Sequence, residues 1–322
     1  MSCIPTPPAE KIGGQGETLV VLDMDKTNRN NWMLSEFARH LVRHNPRHLN
    51  FAYKKLKSFL EEPTIDEMMS KILPPETAKV ESSALKFLYK AISEKTETRQ
   101  QFKHSLNVLA AAMLKASSEE NYLSICDIVT EKAFQQSQKK IERLFYPTMP
   151  GLLAYLRETL DATLVFVSGS PTELNEKWLR KISFGYLLDS KKAYVIGSDY
   201  GEYVDGKRVF TGDASEIVAT YEQKQIACQK YIHEDADVRF VLGDGLSDLA
   251  LIELLKQGAA FILPTNKKEA EQLREQLEQR EALIIDGAHQ LNEYKGPEPQ
   301  IVFLDDRETH QDIQRTMARL AR

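Results

Sequence analysis

The sequence predicts an α/β protein: a parallel sheet covered by helices on both faces, with an all-helical segment inserted after the first strand. Three observations carry this expectation. Short apolar runs, mostly β-branched or aromatic, recur at wide intervals, as do strands buried on both faces. Helical patterns lie between them, and such alternation implies right-handed crossovers. One long stretch, Asn31 to Leu144, keeps a helical beat and has no strand pattern.

The strand candidates are Leu19-Val20-Val21-Leu22, Leu164-Val165-Phe166-Val167, Phe240-Val241-Leu242, Phe261-Ile262-Leu263 and Leu283-Ile284-Ile285. Helices are expected at Pro150 to Leu160 and Leu246 to Lys256, among others. Inside the insertion, Trp32, Leu34, Phe37 and Leu41 repeat at helical spacing, as do Leu85, Leu88 and Ile92, and again Leu106, Leu109 and Met113. Pro46, Pro63 and Pro74-Pro75 punctuate it. After Gly287, Ile301-Val302-Phe303-Leu304 and a charged helix near Glu308 to Leu320 read as an extra edge strand and helix, or as a small appendage. The expected division is a flexible N-terminal segment (1–17), an α/β core (18–30 and 146–287), a helical insertion (31–145) and a C-terminal extension (288–322).

A chain of 322 residues has room for about two such units at roughly 150 residues each. Hydrophobic residues at 42 % and charged residues at 28 % are those of a globular protein, which excludes a fibre or a disordered tail. The net charge of −5 disfavours a phosphate-backbone binder, so no nucleic-acid partner is expected. The basic cluster Lys54, Lys55, Lys57 is followed by Glu61 and Glu62 and reads as a solvated helix face. Cys3, Cys126 and Cys228 lie far apart without CxxC spacing, which argues against a disulfide framework or a zinc site and for a reducing compartment. No apolar run reaches membrane-span length and no signal peptide is recognisable, although export without a cleavable signal stays open.

The chemistry gathers at strand ends. The first strand runs into Asp23-Met24-Asp25-Lys26-Thr27. In extended chain Asp23, Asp25 and Thr27 share one side while Lys26 points away. Two carboxylates so placed repel unless a cation or proton lies between them, so the pair calls for a metal or for acid/base work. The second run ends in Val167-Ser168-Gly169-Ser170-Pro171, a hydroxyl and a glycine before a helix, which suits an anion. Serine is also an ordinary helix cap. The third run ends in Gly243-Asp244-Gly245-Leu246-Ser247-Asp248; its two acids, four residues apart, can face one point and suit Mg²⁺. Lys224, 20 residues before Asp244 at the start of a helical pattern, gains meaning only from these three.

In order and strand context the set resembles the haloacid dehalogenase (HAD) superfamily of phosphohydrolases. Asp23-Met24-Asp25-Lys26-Thr27 is similar to its first motif, Ser168 to the second, Lys224 to the third and Gly243 through Asp248 to the fourth. The resemblance covers residues 18–30 and 146–287. It implies a Rossmann-like core with a helical C1-type cap, of the phosphoserine-phosphatase-like branch. Ser198-Asp199 through Thr211-Gly212 looks like that branch's hairpin segment.

The resemblance further implies Asp23 as nucleophile, Asp25 as general acid/base, and Mg²⁺ held by Asp23, the Asp25 carbonyl, Asp244 and Asp248, the last directly or through water. Ser168, Gly169, Lys224 and Thr27 would hold the phosphate or support its loop. The implied activity is hydrolysis of a small phosphomonoester, phosphoserine- or phosphocholine-like. A phosphotransferase, a protein phosphatase and a non-catalytic scaffold remain as alternatives.

One departure is the polar run Asn28-Arg29-Asn30-Asn31 after Thr27, read as a hinge and helix cap. Asp305-Asp306 reads as surface. The histidines show no metal spacing, and His40 and His44 share a helix face without an acidic partner apparent nearby.

Overall fold

The computed structural model describes residues 11–14, 16–24, 36–41, 51, 55, 92–93, 96, 99–115, 117–139, 149–182, 184–263, 267–287, 298–304 and 314–318. Seven strands form one parallel sheet: β1 (Thr18–Asp23), β2 (Thr163–Pro171), β3 (Ala193–Ser198), β6 (Asp237–Gly243), β7 (Ala259–Ile262), β8 (Leu283–Asp286) and β9 (Gln300–Phe303). Their spatial order is β3-β2-β1-β6-β7-β9-β8. A two-stranded antiparallel hairpin, β4 (Glu202–Val204) and β5 (Lys207–Val209), stands apart from the sheet. It turns through Asp205 and Gly206, both at positive φ (50° and 73°), a backbone suited to tight two-residue hairpins.

The α/β class expected from the sequence is what the structure shows, a Rossmann-like sheet with helices on both sides. Alternate residues of each strand enter opposite cores, as the period of two requires. Val20, Leu22, Leu164, Phe166, Phe240 and Leu242 face one layer. Leu19, Val21, Val165, Val167 and Val241 face the other, with Ala227, Leu251 and Leu273 from the covering helices. Cys126 belongs to the first layer and Cys228 to the second, so the sheet separates the two thiols. Burial pushes each of them up to about 12.

Between β1 and β2 the described residues form helices joined by turns and short irregular links, with no strand among them. They include α1 (Arg99–Leu114) and α2 (Glu119–Lys139), followed by α3 (Met149–Glu158) before β2. Phe37, Leu41, Leu106, Tyr122 and Val129 from this stretch share one apolar layer with the sheet. After β2 come α4 (Thr172–Lys181) and α5 (Gly185–Asp189). α6 (Tyr221–Tyr231) precedes β6, and α7 (Leu249–Ile252) and α8 (Lys267–Glu278) follow it.

Several details differ from the sequence reading. β9 sits between β7 and β8 rather than at the edge, and β8 takes the edge position. The apolar alternation of the tail is that of a buried strand, but rank within a sheet is set by pairing between distant segments, which local pattern does not contain. The helix expected over Leu246 to Lys256 is a 3-10 turn (Leu246–Asp248) leading into the short α7, which ends at Ile252. α6 begins at Tyr221, so Lys224 lies one turn in. His40 does have an acidic neighbour: Glu36, one turn earlier, approaches to 3.9 Å. Asp25, Thr27, the Asn28–Asn31 run, His44 and Asp305-Asp306 lie outside the described residues. Among the described residues no helix is long and apolar enough to cross a membrane.

Candidate active site

Register aligns the three motif-bearing strand ends. Asp23 pairs across from Val167 on one side, and Leu22 from Leu242 on the other. Asp23, Ser168 and the loop after Gly243 therefore emerge at one edge of the sheet. β1 lies where the strand order reverses, between β2 and β6. Open α/β sheets bind ligands in the crevice at such a switch point, beyond the carboxyl ends of the strands.

Lys224 reaches this crevice from α6. The helix starts with a capping box: the Gln223 N–H donates to Thr220 Oγ1 at 3.3 Å, and the Thr220 N–H donates back to Gln223 Oε1 at 3.1 Å. That pair of bonds satisfies two end donors and fixes the helix start at Tyr221, which places Lys224 one turn in. The lysine is 0 % exposed. Its Nζ donates to Asp23 Oδ1 at 2.6 Å and to Asp248 Oδ1 at 2.7 Å.

Asp248 is held from all sides. Its Oδ2 accepts the N–H groups of Asp244 (2.7 Å) and Gly245 (3.1 Å), closing the loop after β6 on itself. Gly243 makes this approach possible, since a Cβ there would stand 2.7 Å from the Asp248 Cβ. Burial pushes the Asp248 carboxyl up, but the Lys224 ammonium, the Asp244 N–H and the charge of Lys103 overcome it and bring it down to about 2. The carboxylate is therefore ionised at neutral pH.

Asp23, Asp244 and Asp248 are all buried, and each offers a carboxylate oxygen within 4.8 Å of the others. Against three carboxylates the described site sets one ammonium. Three hard oxygen donors with net negative charge are the donor chemistry that suits Mg²⁺, so the residues present fit the metal expected from the sequence. Both Asp248 oxygens already accept hydrogen bonds, so Asp23 and Asp244 are the better direct ligands.

Ser168 is fully buried at the end of β2, where its Oγ accepts the Ser170 N–H at 3.0 Å. Gly169 is anchored through its carbonyl, which accepts from Ser198 Oγ at 2.8 Å, and Ser198 Oγ in turn accepts the Val218 N–H at 3.1 Å. Ser198 thus ties the 168–170 turn to β3 and to the chain entering α6.

The sequence reading missed this brace, and it missed a second one. Arg208 of β5 forms buried ion pairs with Glu173 of α4 and with Asp199. Its guanidinium lies 4.9 Å from the Tyr122 ring of α2, whose hydroxyl donates to Glu173 Oε2 at 2.7 Å. One cluster therefore joins the hairpin, the helix following the Ser168 turn, and the inserted helices. Its only sequence signal was the hairpin itself, because each partner comes from a different segment.

The three strand ends and Lys224 thus meet as the HAD resemblance requires. No protein-family model matches the chain, and no curated protein matches it either. Solved structures of similar course exist. A phosphoserine phosphatase in its apo form is 19 % identical, with 80 % of this chain and 90 % of that one covered and a TM-score of 0.39. A protein of unknown function from Anaerococcus prevotii is 14 % identical, over 84 % and 86 % of the two chains, at a TM-score of 0.49. Cytosolic 5'-nucleotidase IIIB bound to cytidine is 10 % identical, over 95 % and 85 %, at 0.43. At such similarity a shared fold does not determine chemistry, and the reading below rests on this chain's own residues.

Proposed function

We propose that this chain is a HAD-type, Mg²⁺-dependent phosphomonoester hydrolase acting through an aspartyl-phosphate. The observation that carries the reading is the Lys224 ammonium shared between Asp23 and Asp248, with Asp244 beside them, at the sheet's switch point. A structural ion pair needs one carboxylate per lysine. Three carboxylates around one ammonium leave negative charge that a metal ion and a reacting phosphoryl group would complete.

In this reading the Asp23 carboxylate attacks phosphorus in line, so that one hard displacement becomes two easier ones. Lys224 holds Asp23 ionised and oriented, and offsets charge on the phosphoryl oxygens as it redistributes. Asp25, two residues on, would protonate the leaving oxygen and then take a proton from the attacking water. Ser168 Oγ and the N–H groups of its turn would hold phosphoryl oxygens, with Thr27 supporting the first loop. Asp23, the Asp25 carbonyl and Asp244 would hold Mg²⁺, with Asp248 behind them; the ion supplies charge neutralisation between nucleophile and phosphate. The helical insertion would act as a cap that restricts the substrate to a small phosphorylated metabolite, and no nucleic-acid partner is proposed.

The test is hydrolysis of p-nitrophenyl phosphate by wild type and Asp23→Asn, with Mg²⁺ and with EDTA. Turnover confined to Mg²⁺-loaded wild type is expected. Activity that persists in folded Asp23→Asn, or that ignores chelation, would overturn the nucleophile or the metal assignment respectively. Adding acceptor alcohols separates hydrolysis from phosphoryl transfer by product.

A further inference from the structure

Three polar side chains of α1, those of Gln100, His104 and Asn107, stand at i, i+4 and i+7 and so share one helix face. All three meet the core. Gln100 Oε1 accepts the Tyr221 N–H at 3.5 Å, and Asn107 Oδ1 accepts from the buried Tyr200 hydroxyl. His104 Nδ1 lies 2.7 Å from Gln223 Nε2. Two of these contacts therefore fall on the first turn of α6, the turn that carries Lys224 into the site. Of the three residues only the histidine changes its charge near neutral pH.

The direction of the His104 contact follows from backbone donors. Gln223 Oε1 accepts the N–H groups of Ala219 and Thr220, each at 3.1 Å, and a peptide N–H can only donate. The amide is thereby fixed with Nε2 toward the ring. Nε2 has two protons to give and accepts none, so Nδ1 is the acceptor and the ring is neutral, with its own proton on Nε2. A second proton, on Nδ1, would set one donor against another. The amide cannot turn over in response without stripping Ala219 and Thr220 of their acceptor. From this geometry we infer that neutral His104 is a positioning residue: it latches the inserted helix to the capping box of α6, and protonation of Nδ1 releases the turn that holds Lys224 in place. The consequence for turnover rests on the hydrolase reading; the latch does not.

The ionisable neighbours on the two helices are Lys103, next to His104, and Glu222 and Lys224, on either side of Gln223. Glu222 accepts from Thr220 Oγ1 at 3.0 Å, and the Tyr221 hydroxyl donates to Glu253 Oε2 at 2.7 Å. β2, against which α1 also packs, carries no ionisable side chain.

The experiment uses the full-length protein. NMR of the histidine ring nitrogens reads the tautomer and titration of His104, and hydrogen exchange reads the protection of the Ala219 and Thr220 amides. Gln223→Glu keeps the capping box, in which Glu serves as well as Gln, and offers a carboxylate to a protonated ring. His104→Asn sets a carbonyl oxygen near the place of Nδ1 and does not titrate. In wild type the neutral ring is expected to carry its proton on Nε2, and protection of the two amides to fall at least tenfold as the ring is protonated between about pH 8 and about pH 5.5. In Gln223→Glu the His104 midpoint should rise by roughly one pH unit and protection should survive acid. In His104→Asn protection should not follow pH. On p-nitrophenyl phosphate, kcat of wild type should fall at least threefold through the His104 midpoint, and neither variant should show that fall.

A neutral ring protonated on Nδ1, or protection that ignores the His104 titration, overturns the inference; both are read on wild type and need no variant to fold. The same acid fall of kcat in wild type and both variants also overturns it, since the contact would then be structural only. If no ester is hydrolysed while tautomer and protection behave as expected, the hydrolase reading fails and the latch stands.

Discussion

The ammonium of Lys224 lies 2.6 Å from Oδ1 of Asp23, joining residues 201 positions apart in a contact without water access. Removing one partner of such a pair leaves a buried charge uncompensated, at a cost of about 3–5 kcal/mol. Lys224→Met is therefore expected to lower the urea midpoint markedly and to abolish turnover. Lys224→Arg keeps the charge but not the shape, and should recover stability better than activity. Equilibrium unfolding and steady-state kinetics on the same preparations check both halves.

Gly243 is the cheapest place to disturb Asp248 without touching its charge. An added methyl would stand 2.7 Å from the Asp248 Cβ and 2.9 Å from its Oδ2. Gly243→Ala should destabilise the fold by roughly 1–3 kcal/mol, the usual range for overpacking. Turnover should drop with kcat affected more than KM, because the loop that carries Asp244 is displaced. An unchanged kcat would mean that the loop yields without moving the site.

Asp248 also makes a signed prediction about pH. Its carboxyl is lowered from 3.8 to about 2 in the folded protein: burial, the largest single influence, raises it, and the Lys224 ammonium together with the Asp244 N–H and the Lys103 charge more than offsets that. A depressed acid contributes stability above its unfolded value, and that contribution is lost as pH falls through the folded one. Wild type should lose on the order of 2 kcal/mol from this residue between pH 4 and pH 2. Asp248→Asn, less stable at neutral pH, should show a shallower decline over that window in acid-dependent urea titrations.

Asp244 is placed to bind a cation without serving as the nucleophile. Asp244→Asn should weaken Mg²⁺ at least tenfold by calorimetry, a readout independent of catalysis, as loss of one carboxylate ligand implies. High Mg²⁺ should then restore part of the activity. Asp23→Asn would not be rescued in the same way.

Arg208 joins the hairpin to Glu173 and Asp199. Arg208→Ala should cost about 3–5 kcal/mol, since it leaves Glu173 buried without its cation. A double-mutant cycle with Glu173→Ala should return a coupling of about 1–3 kcal/mol. Near-additive losses would show that aromatic packing around the guanidinium, rather than the ion pair, holds the hairpin.

The sequence by itself determined the α/β class, the helical character of the insertion where it is described, and which strand ends carry acids. Each is encoded over a few neighbouring residues: apolar runs, a period of two or of 3.6, and acids or glycines just after a strand. From the same stretches Asp23, Ser168, Asp244 and Asp248 could be named, and Lys224 could be added through their company. Only the tertiary structure decided that β9 lies inside the sheet, that Ser198 braces the Ser168 turn, that Arg208 gathers three segments, and that Lys224 is wholly buried between Asp23 and Asp248. Those facts depend on pairings across scores of residues. A lysine on a helix reads as surface until the helix is docked, because what makes it unusual is the loss of water around its charge, and burial belongs to the assembled fold.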